Sequence, residues 1–255
     1  MKNDNIHRIQ FLGCPIDSIT MNQTVEQCLQ WCREPRRSHL LVTVNVAILI
    51  MMRKDKLLRE ACVTADLVTA DGVPVVWSSR LLGTPLVERV SGVDLLPRLL
   101  KMGSENHLRV YFLGARQEIV EKMVALCHES YQDIVIAGYH HGYFAEEDHP
   151  RIISEIYNSN ADFLFIGMPT PFKETWCYQH KDELNVPVII GVGGSFDVLT
   201  GYIPRAPKWM QNIGMEWFWR FMMEPRKMWK RYLVTNTIFI SLMIHLIIKR
   251  ALSRS

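Results

Sequence analysis

The chain runs F-L-F-I-G-M-P-T-P-F-K-E-T-W at 163–176 and V-I-I-G-V-G-G-S-F-D at 188–197, and these two stretches decide the fold. Each begins as a continuous apolar run and then breaks at glycine. A short apolar run bounded by turn residues is typical of a strand that is buried on both faces of a parallel sheet. Ligands of open α/β sheets bind outside the carboxyl ends of the strands. The two stretches therefore predict two such strands with a pocket at their ends.

Short strands and longer helices alternate along the rest of the chain. The strands are expected at 9–12, 39–44, 67–70, 109–113 and 134–137. Gly13 to Pro15 should end the first strand, Asn22 should cap the helix that follows, and 48–62 should form one helix. This alternation predicts an α/β fold, a Rossmann-like and mostly parallel sheet with helices on both faces.

The charge of the chain is divided unevenly between its two parts. The net charge is only +3, but residues 203–255 hold ten Lys and Arg against two Glu, which gives +8. Residues 1–202 hold nineteen against twenty-four, which gives −5, and four of the seven Trp lie in the basic tail. We predict an α/β core at 1–204 and a basic, Trp-rich helical appendage at 205–255. An acidic body with such a tail indicates a membrane surface or a phosphate-bearing ligand as partner.

The cysteines and the N-terminus indicate the compartment. Six scattered Cys form no C-x-x-C pair, which favours a reduced, cytosolic environment. The first residues contain no apolar run, so no signal peptide is expected.

The tail contains a basic, aromatic segment followed by an apolar one. Arg220, Arg226, Lys230 and Arg231 are interleaved with Trp, as at membrane interfaces, although nucleic-acid-binding proteins show similar patterns. Residues 233–248 contain no Asp, Glu, Lys or Arg, and as a helix they would span about 24 Å, short of the roughly 30 Å hydrocarbon core. This predicts a helix that lies in the interface or packs on a partner rather than one that spans.

Polar residues recur where the predicted strands end, and they converge on one edge of a parallel sheet. They are Thr43, Asn45, Asp71, Lys173, Glu174 and Asp197. Asp71 follows an apolar strand and precedes Gly72, so it is either a turn or N-cap residue or a general base at the pocket edge. Lys173 is expected to be a pocket-edge side chain that carries little packing.

The glycines of the second stretch indicate a close approach by some other group. Gly191, Gly193 and Gly194 do not form the G-x-G-x-x-G pattern of dinucleotide-binding proteins. The sequence also has no D-x-D pair of the kind that holds a metal on a nucleotide. We therefore expect no cofactor and no required metal.

Several ordered blocks resemble the WecG/TagA/CpsF glycosyltransferase family. They are T-V-N (43–45), T-A-D-G-V-P (69–74), R-V-S-G-V-D-L (89–95), F-L-G-A (112–115), G-Y-F (142–144), G-M-P-T-P-F-K-E-T-W (167–176), G-V-G-G-S-F-D-V-L-T-G (191–201), R-A-P-K-W-M-Q-N-I-G-M-E-W (205–217) and E-P-R-K-M-W-K-R-Y (224–232). The resemblance implies an inverting transferase that moves a hexosyl or N-acetylhexosaminyl group from a UDP-sugar to a polyprenyl-diphosphate-linked saccharide for bacterial surface polysaccharide. It places the enzyme at the cytoplasmic face of the inner membrane, bound through its C-terminal tail.

The resemblance also implies roles for individual residues. Asp71 would be the base, with Thr43 and Asn45 beside it at the substrate. Arg89, Lys173, Glu174 and the 191–197 loop, including Asp197, would contact the substrates. The basic tail residues Arg220, Arg226, Lys230 and Arg231 would meet the lipid diphosphate. The family usually has Gln where this chain has Lys173, which would mark a different donor sugar.

The expected partners are thus a UDP-sugar, a lipid-diphosphate-linked acceptor and a membrane surface, without nucleic acid; a homo-oligomer is left open. Two other functions compete with this prediction. A nucleotide-binding oxidoreductase could use the same sheet, but it would need a glycine fingerprint near the first strand, which Gly13 to Pro15 does not supply. A non-catalytic membrane-surface adaptor would have the same tail, and only turnover would distinguish it.

Overall fold

The fold is built on a six-stranded parallel sheet. The structure is a computed structural model that describes residues 6–252, with side chains for all of these except residues 227, 228 and 230–232. Its strands are β1 His7–Phe11, β2 Cys14–Ser18, β3 His39–Val44, β4 Leu67–Ala70, β5 Arg109–Gly114, β6 Val135–His140, β7 Phe163–Gly167 and β8 Val188–Gly191. Strands β3 to β8 pair in the order β4-β3-β8-β7-β5-β6, and every pair is parallel. The predicted parallel sheet is confirmed, and β7 and β8 are neighbours in it.

Helices cover both faces of this sheet. They are α1 Met21–Arg33, α2 Val46–Met51, α3 Lys56–Thr64, α4 Val73–Leu81, α5 Gly92–Glu105, α6 Gln117–Ser130, α7 His149–Ser159, α8 Phe172–Leu184, α9 Ser195–Leu199, α10 Lys208–Asn212, α11 Glu216–Met223 and α12 Pro225–Leu252. Side chains of β7 alternate between two cores, with Leu164 and Ile166 in one and Phe163 and Phe165 in the other. Burial on both faces explains why this strand is apolar throughout.

The N-terminal region differs from the prediction because β1 and β2 form an antiparallel hairpin. The two-residue loop places Leu12 at φ 52° and Gly13 at φ 84°. Positive φ at both positions matches the twist of a tight hairpin. The sequence does not indicate this hairpin, because Asn or Asp is the usual first loop residue and because β2 contains Pro15, a residue that is rare within strands. The buried carboxylate of Asp17 in β2 accepts a hydrogen bond from Val68 N at 2.8 Å, which satisfies an N–H of the edge strand β4.

Three predicted boundaries are also wrong. Thr20, not Asn22, caps α1, with its side chain accepting from Gln23 N at 3.2 Å. The helix predicted over 48–62 is two helices, because Asp55 caps α3 by accepting from Leu58 N at 3.0 Å. The strand predicted to end at 137 continues to His140 as β6.

The chain after β8 contributes only helices in its described part, from α9 to α12. The domain boundary at residue 204 stays a prediction. The appendage that follows it packs on the core through α12. Thr235, Phe239 and Met243, one turn apart, are buried, and the two apolar ones join the core that contains α2. One side of α12 is therefore buried against the protein itself, and the other side is exposed.

Candidate active site

A cavity of about 830 Å³ opens at the carboxyl ends of the central strands and is partly walled by α11 and α12. Ten of the residues predicted from the sequence line it. They are Thr43, Asn45, Asp71, Arg89, Lys173, Gly191, Gly193, Gly194, Asp197 and Arg220. Its size and its position at the strand ends match those of small-molecule sites in α/β proteins.

Asp71 lies at the wall of the cavity, where β4 ends. Its backbone N–H donates to Val44 O at 2.8 Å, and Gly72, at φ 124°, turns the chain into α4. The pKa of Asp71 is raised to about 6, first because burial disfavours the charged form and further because Glu216 is near, while Arg89 and Lys173 act in the opposite direction. A carboxyl with this pKa is mostly ionised at neutral pH and can accept a proton there.

Thr43 lies on β3, the strand beside β4, and Asn45 directly follows β3. Thr43 is buried in β3 and pairs in register with Thr69 of β4. Asn45 caps α2, its side-chain oxygen accepting from Ile48 N at 3.2 Å. Asn45 therefore has a structural role as the N-cap of α2, and it also lines the cavity.

The glycine loop is approached by two cationic side chains. A Cβ atom on Gly191 would lie 2.9 Å from Lys173 Cδ, and one on Gly194 would lie 1.7 Å from a guanidinium nitrogen of Arg220. The close approach predicted from these glycines is thus made, in this structure, by Lys173 and Arg220. Larger residues at Gly191 or Gly194 would displace those cations.

Lys173 is buried, contrary to the expectation of a side chain with little packing. Its ammonium forms an ion pair with Glu174, whose Oε1 also accepts from Thr170 Oγ1 at 3.0 Å. Lys173 lines the cavity and Glu174 does not. Glu174 therefore holds Lys173 in place, and no substrate contact of its own is indicated.

Arg89 belongs to a group of alternating charges that we term the ion cluster: Arg89, Asp94, Arg205 and Glu216. Arg89 contacts Asp94 at 2.6 Å and Glu216 at 3.2 Å. Arg205 pairs with Asp94 and lies 3.5 Å from Glu216. Burial raises the pKa of Asp94, but hydrogen bonds from Ser91 and Arg205 outweigh it and hold that pKa below its ordinary value. The cluster ties the tail to the core beside Asp71.

The predicted diphosphate-binding residues of the tail are not all at the cavity. Arg220 lines it, and within the described part of the chain no hydrogen-bond partner meets its buried Nε atom. Arg226 is exposed and is not part of the cavity wall. The side chains of Lys230 and Arg231 lie outside the part of the structure that is described. Of the four predicted cations, Arg220 is the one whose described side chain lies at the site.

Residues 9–253 match the family described as Glycosyl transferase WecG/TagA/CpsF. The chain belongs to this family. It is 32% identical over 231 residues to an N-acetylglucosaminyldiphosphoundecaprenol N-acetyl-beta-D-mannosaminyltransferase of Staphylococcus aureus (strain MW2), covering 90% of this chain and 89% of that protein. It is 29% identical over 233 residues to the Bacillus subtilis (strain 168) protein of the same name, covering 91% and 88%. The protein is therefore a glycosyltransferase, and the oxidoreductase and adaptor alternatives are set aside.

Several residues that shape the site of this glycosyltransferase are missed by the sequence reasoning. They are Arg116, Tyr143, Tyr202, Arg205, Glu216, Trp217 and Trp219, all in the cavity wall. At the rim, Arg116 donates to the Tyr202 hydroxyl at 2.8 Å. Trp219 Nε1 donates to Pro204 O at 2.8 Å. This contact holds Trp219 in the cavity wall, so we assign it to the site rather than to a membrane anchor. For Arg205, Glu216 and Trp217 the R-A-P-K-W-M-Q-N-I-G-M-E-W block was the available signal, because it places charged and aromatic residues at fixed spacing.

The described residues contain no group of three or more His, Cys, Asp or Glu side chains that could hold a metal ion. They do contain one helix, Leu233–Leu252, that is long and apolar enough to cross a membrane by length and composition. In the structure this glycosyltransferase keeps that segment packed along its core through Phe239 and Met243.

Proposed function

We propose that this glycosyltransferase transfers N-acetylmannosamine from a UDP-sugar to the N-acetylglucosamine of a polyprenyl-diphosphate-linked acceptor, with inversion at the sugar C1. The observation that carries the proposal is Asp71, a partly buried carboxyl with a raised pKa in a cavity lined by Lys173, Arg89 and Arg220. The names of the two relatives supply the sugar and the acceptor. The competing donors in the test below decide whether Lys173 marks a different donor sugar. A β product from an α-linked nucleotide sugar requires inversion and a single displacement.

In this reaction Asp71 accepts the proton of the acceptor hydroxyl while that oxygen bonds to C1 of the donor sugar. The bond from C1 to the β-phosphate oxygen breaks, and UDP leaves with the electron pair. Negative charge therefore develops on the diphosphate. Fixed cations placed where such charge develops commonly supply a large part of the rate enhancement. Arg220 and Lys173, both beside the glycine loop, are the candidates for this role.

The same cations support metal-independent transfer. Mg²⁺ on a nucleotide diphosphate is usually held by one or two carboxylates. The carboxylates that act on the pKa of Asp71 are Glu216 and Asp94, and both are paired with arginines in the ion cluster. We therefore expect EDTA to leave most of the turnover intact. Loss of turnover in EDTA that Mg²⁺ or Mn²⁺ restores would contradict this.

The acceptor lipid sets the location proposed for the enzyme. UDP-sugars are cytosolic, and a polyprenyl diphosphate is anchored in the bilayer, so the cavity must work at the cytoplasmic face of the bacterial inner membrane. The basic, aromatic tail is the part of the chain suited to that surface. A homo-oligomer is not required by this arrangement.

The test is turnover of UDP-N-acetylmannosamine with an N-acetylglucosamine-diphosphate acceptor that carries a short, soluble lipid. Product is measured by mass spectrometry, with UDP-N-acetylglucosamine and UDP-glucose as competing donors. Asp71→Asn should lower turnover by roughly 10²–10⁴-fold while UDP still binds, because only the proton acceptor is lost. Near-normal turnover of Asp71→Asn would refute its role as base, and preference for another donor would refute the sugar assignment.

A further inference from the structure

We propose that α4 joins α12 in one membrane-binding face, which holds the enzyme flat on an anionic lipid surface with the cavity beside it. This α4–α12 face consists of Trp77 and Leu81 of α4 and Ile244, Ile247 and Ile248 of α12. The inference deepens the proposed function and rests on it, because it assigns part of the membrane contact to the catalytic core rather than to the tail alone.

The exposed side of α12 is largely apolar, with a narrow polar stripe of Thr237, Ser241 and His245. With Thr235, Phe239 and Met243 turned to the core, Ile244 and Ile248 point outward and Ile247 lies at the edge of the exposed side; all three are large exposed hydrophobic residues. Among the polar residues on this side, the Thr237 hydroxyl is satisfied by Leu233 O at 2.6 Å within the helix. Exposed apolar clusters of this kind mark interaction surfaces in soluble proteins.

Helix α4 continues this surface. Trp77 is 53% exposed and Leu81 is 63% exposed. The two helices contact each other at the C-terminal end of α4, where Leu81 O accepts from Arg250 at 3.0 Å. Val73 at the start of α4 and Ile240 of α12 line the same cavity. On these two observations we place the exposed side chains of α4 beside those of α12.

The charge of the two helices selects a lipid surface over a second copy of the protein. Together they carry seven Lys and Arg and no Asp or Glu. An anionic leaflet attracts such a surface, while an identical basic face on a second copy would repel it. Cations stand at both ends of the apolar part of α12, at 226–231 and 249–250. A flat helix places both groups at lipid headgroups on one side, whereas a spanning helix would place one of them across the membrane.

The position of the cavity agrees with this orientation. Its wall includes Val73 of α4 and Asn236 and Ile240 of α12, so it lies beside the two helices that carry the α4–α12 face. A headgroup-linked acceptor in the bilayer would reach the cavity without leaving the membrane surface.

The experiment measures binding of the full-length protein to vesicles of equimolar phosphatidylglycerol and phosphatidylcholine by co-sedimentation. The variants are Trp77→Gln with Leu81→Gln on α4, and Ile244→Gln with Ile248→Gln on α12. Tyr157→Gln on α7 is the matched control, because Tyr157 is also 53% exposed but lies on another helix. We expect each double variant to lower the partition coefficient on the order of tenfold and the control to leave it unchanged. Vesicles of phosphatidylcholine alone should bind weakly, and alkaline carbonate should release the bound protein.

Binding of the α4 double variant at the wild-type level would overturn the inference and leave the tail as the only anchor. Retention after carbonate would overturn it in favour of a spanning helix. A dimer in the absence of vesicles that the α4 variant dissociates would instead identify a second copy as the partner. Both double variants should keep turnover on the soluble acceptor, which separates this proposal from the proposed function. If the α4 double variant unfolds, Leu81→Gln alone repeats the measurement.

Discussion

Asp71→Asn should make the protein more stable while it removes the base. The pKa of Asp71 is about 6 in the folded protein against an ordinary value of 3.8. Each pKa unit corresponds to about 1.4 kcal/mol, so the ionised carboxylate costs the folded state at most about 3 kcal/mol above about pH 7. Asparagine has no charge to bury and escapes this cost.

The gain in stability should grow with pH, and the direction of this change is what the test measures. Below about pH 3 the carboxyl is protonated in both the folded and the unfolded chain, and almost no cost arises. As the pH rises through the folded pKa of about 6, the cost reaches its full size. The advantage of Asp71→Asn should thus be about 3 kcal/mol at about pH 8 and about half of that at about pH 5.

The assay is thermal and urea unfolding of the full-length protein in detergent at both pH values. For a chain of this size, about 3 kcal/mol corresponds to a rise in Tm of roughly 6–12 °C. Asp182→Asn on α8 is the control, because that carboxylate is exposed and has no burial cost to lose. A gain that does not depend on pH, or a loss of stability at about pH 8, would refute the assignment of a raised pKa to Asp71.

Three further results are expected. The kcat/KM of the wild type should fall below about pH 6 as Asp71 takes up its proton. Glu216→Gln should move this fall to lower pH, because a nearby negative charge is lost. A pH profile that does not move would contradict this. Lys173→Gln should lower the free energy of unfolding by about 3–5 kcal/mol, measured in urea, because Glu174 stays buried without its partner. Adding Glu174→Gln should restore much of this loss. An unchanged free energy of unfolding in the single variant would contradict the pairing. Gly194→Ala should keep the Tm within a few degrees yet lower kcat, because its methyl group displaces Arg220; wild-type kcat would contradict a role for that cation.

The sequence alone determined the six strands of the parallel sheet, the edge of the sheet that carries the site, and the position of Asp71 at that edge. These features are local: a strand buried on both faces must be apolar along its length, as Phe163–Gly167 is, and an Asp-Gly pair after a strand such as β4 turns its carboxylate to the sheet edge. The family blocks added the class of reaction, since their order along the chain is itself specific.

Only the tertiary structure decided which charges meet. Asp94 and Arg205 are 111 positions apart, and Arg89 and Glu216 are 127 apart, so no periodicity could pair them. The same holds for Arg220 over Gly194, a contact between the tail and the core. The burial of Lys173 was equally invisible, because a lysine at a helix start is usually exposed. Local sequence fixes the backbone and the hydrophobic pattern, while the pairing of distant charges, and with it the pKa of Asp71, depends on how the chain returns to the cavity.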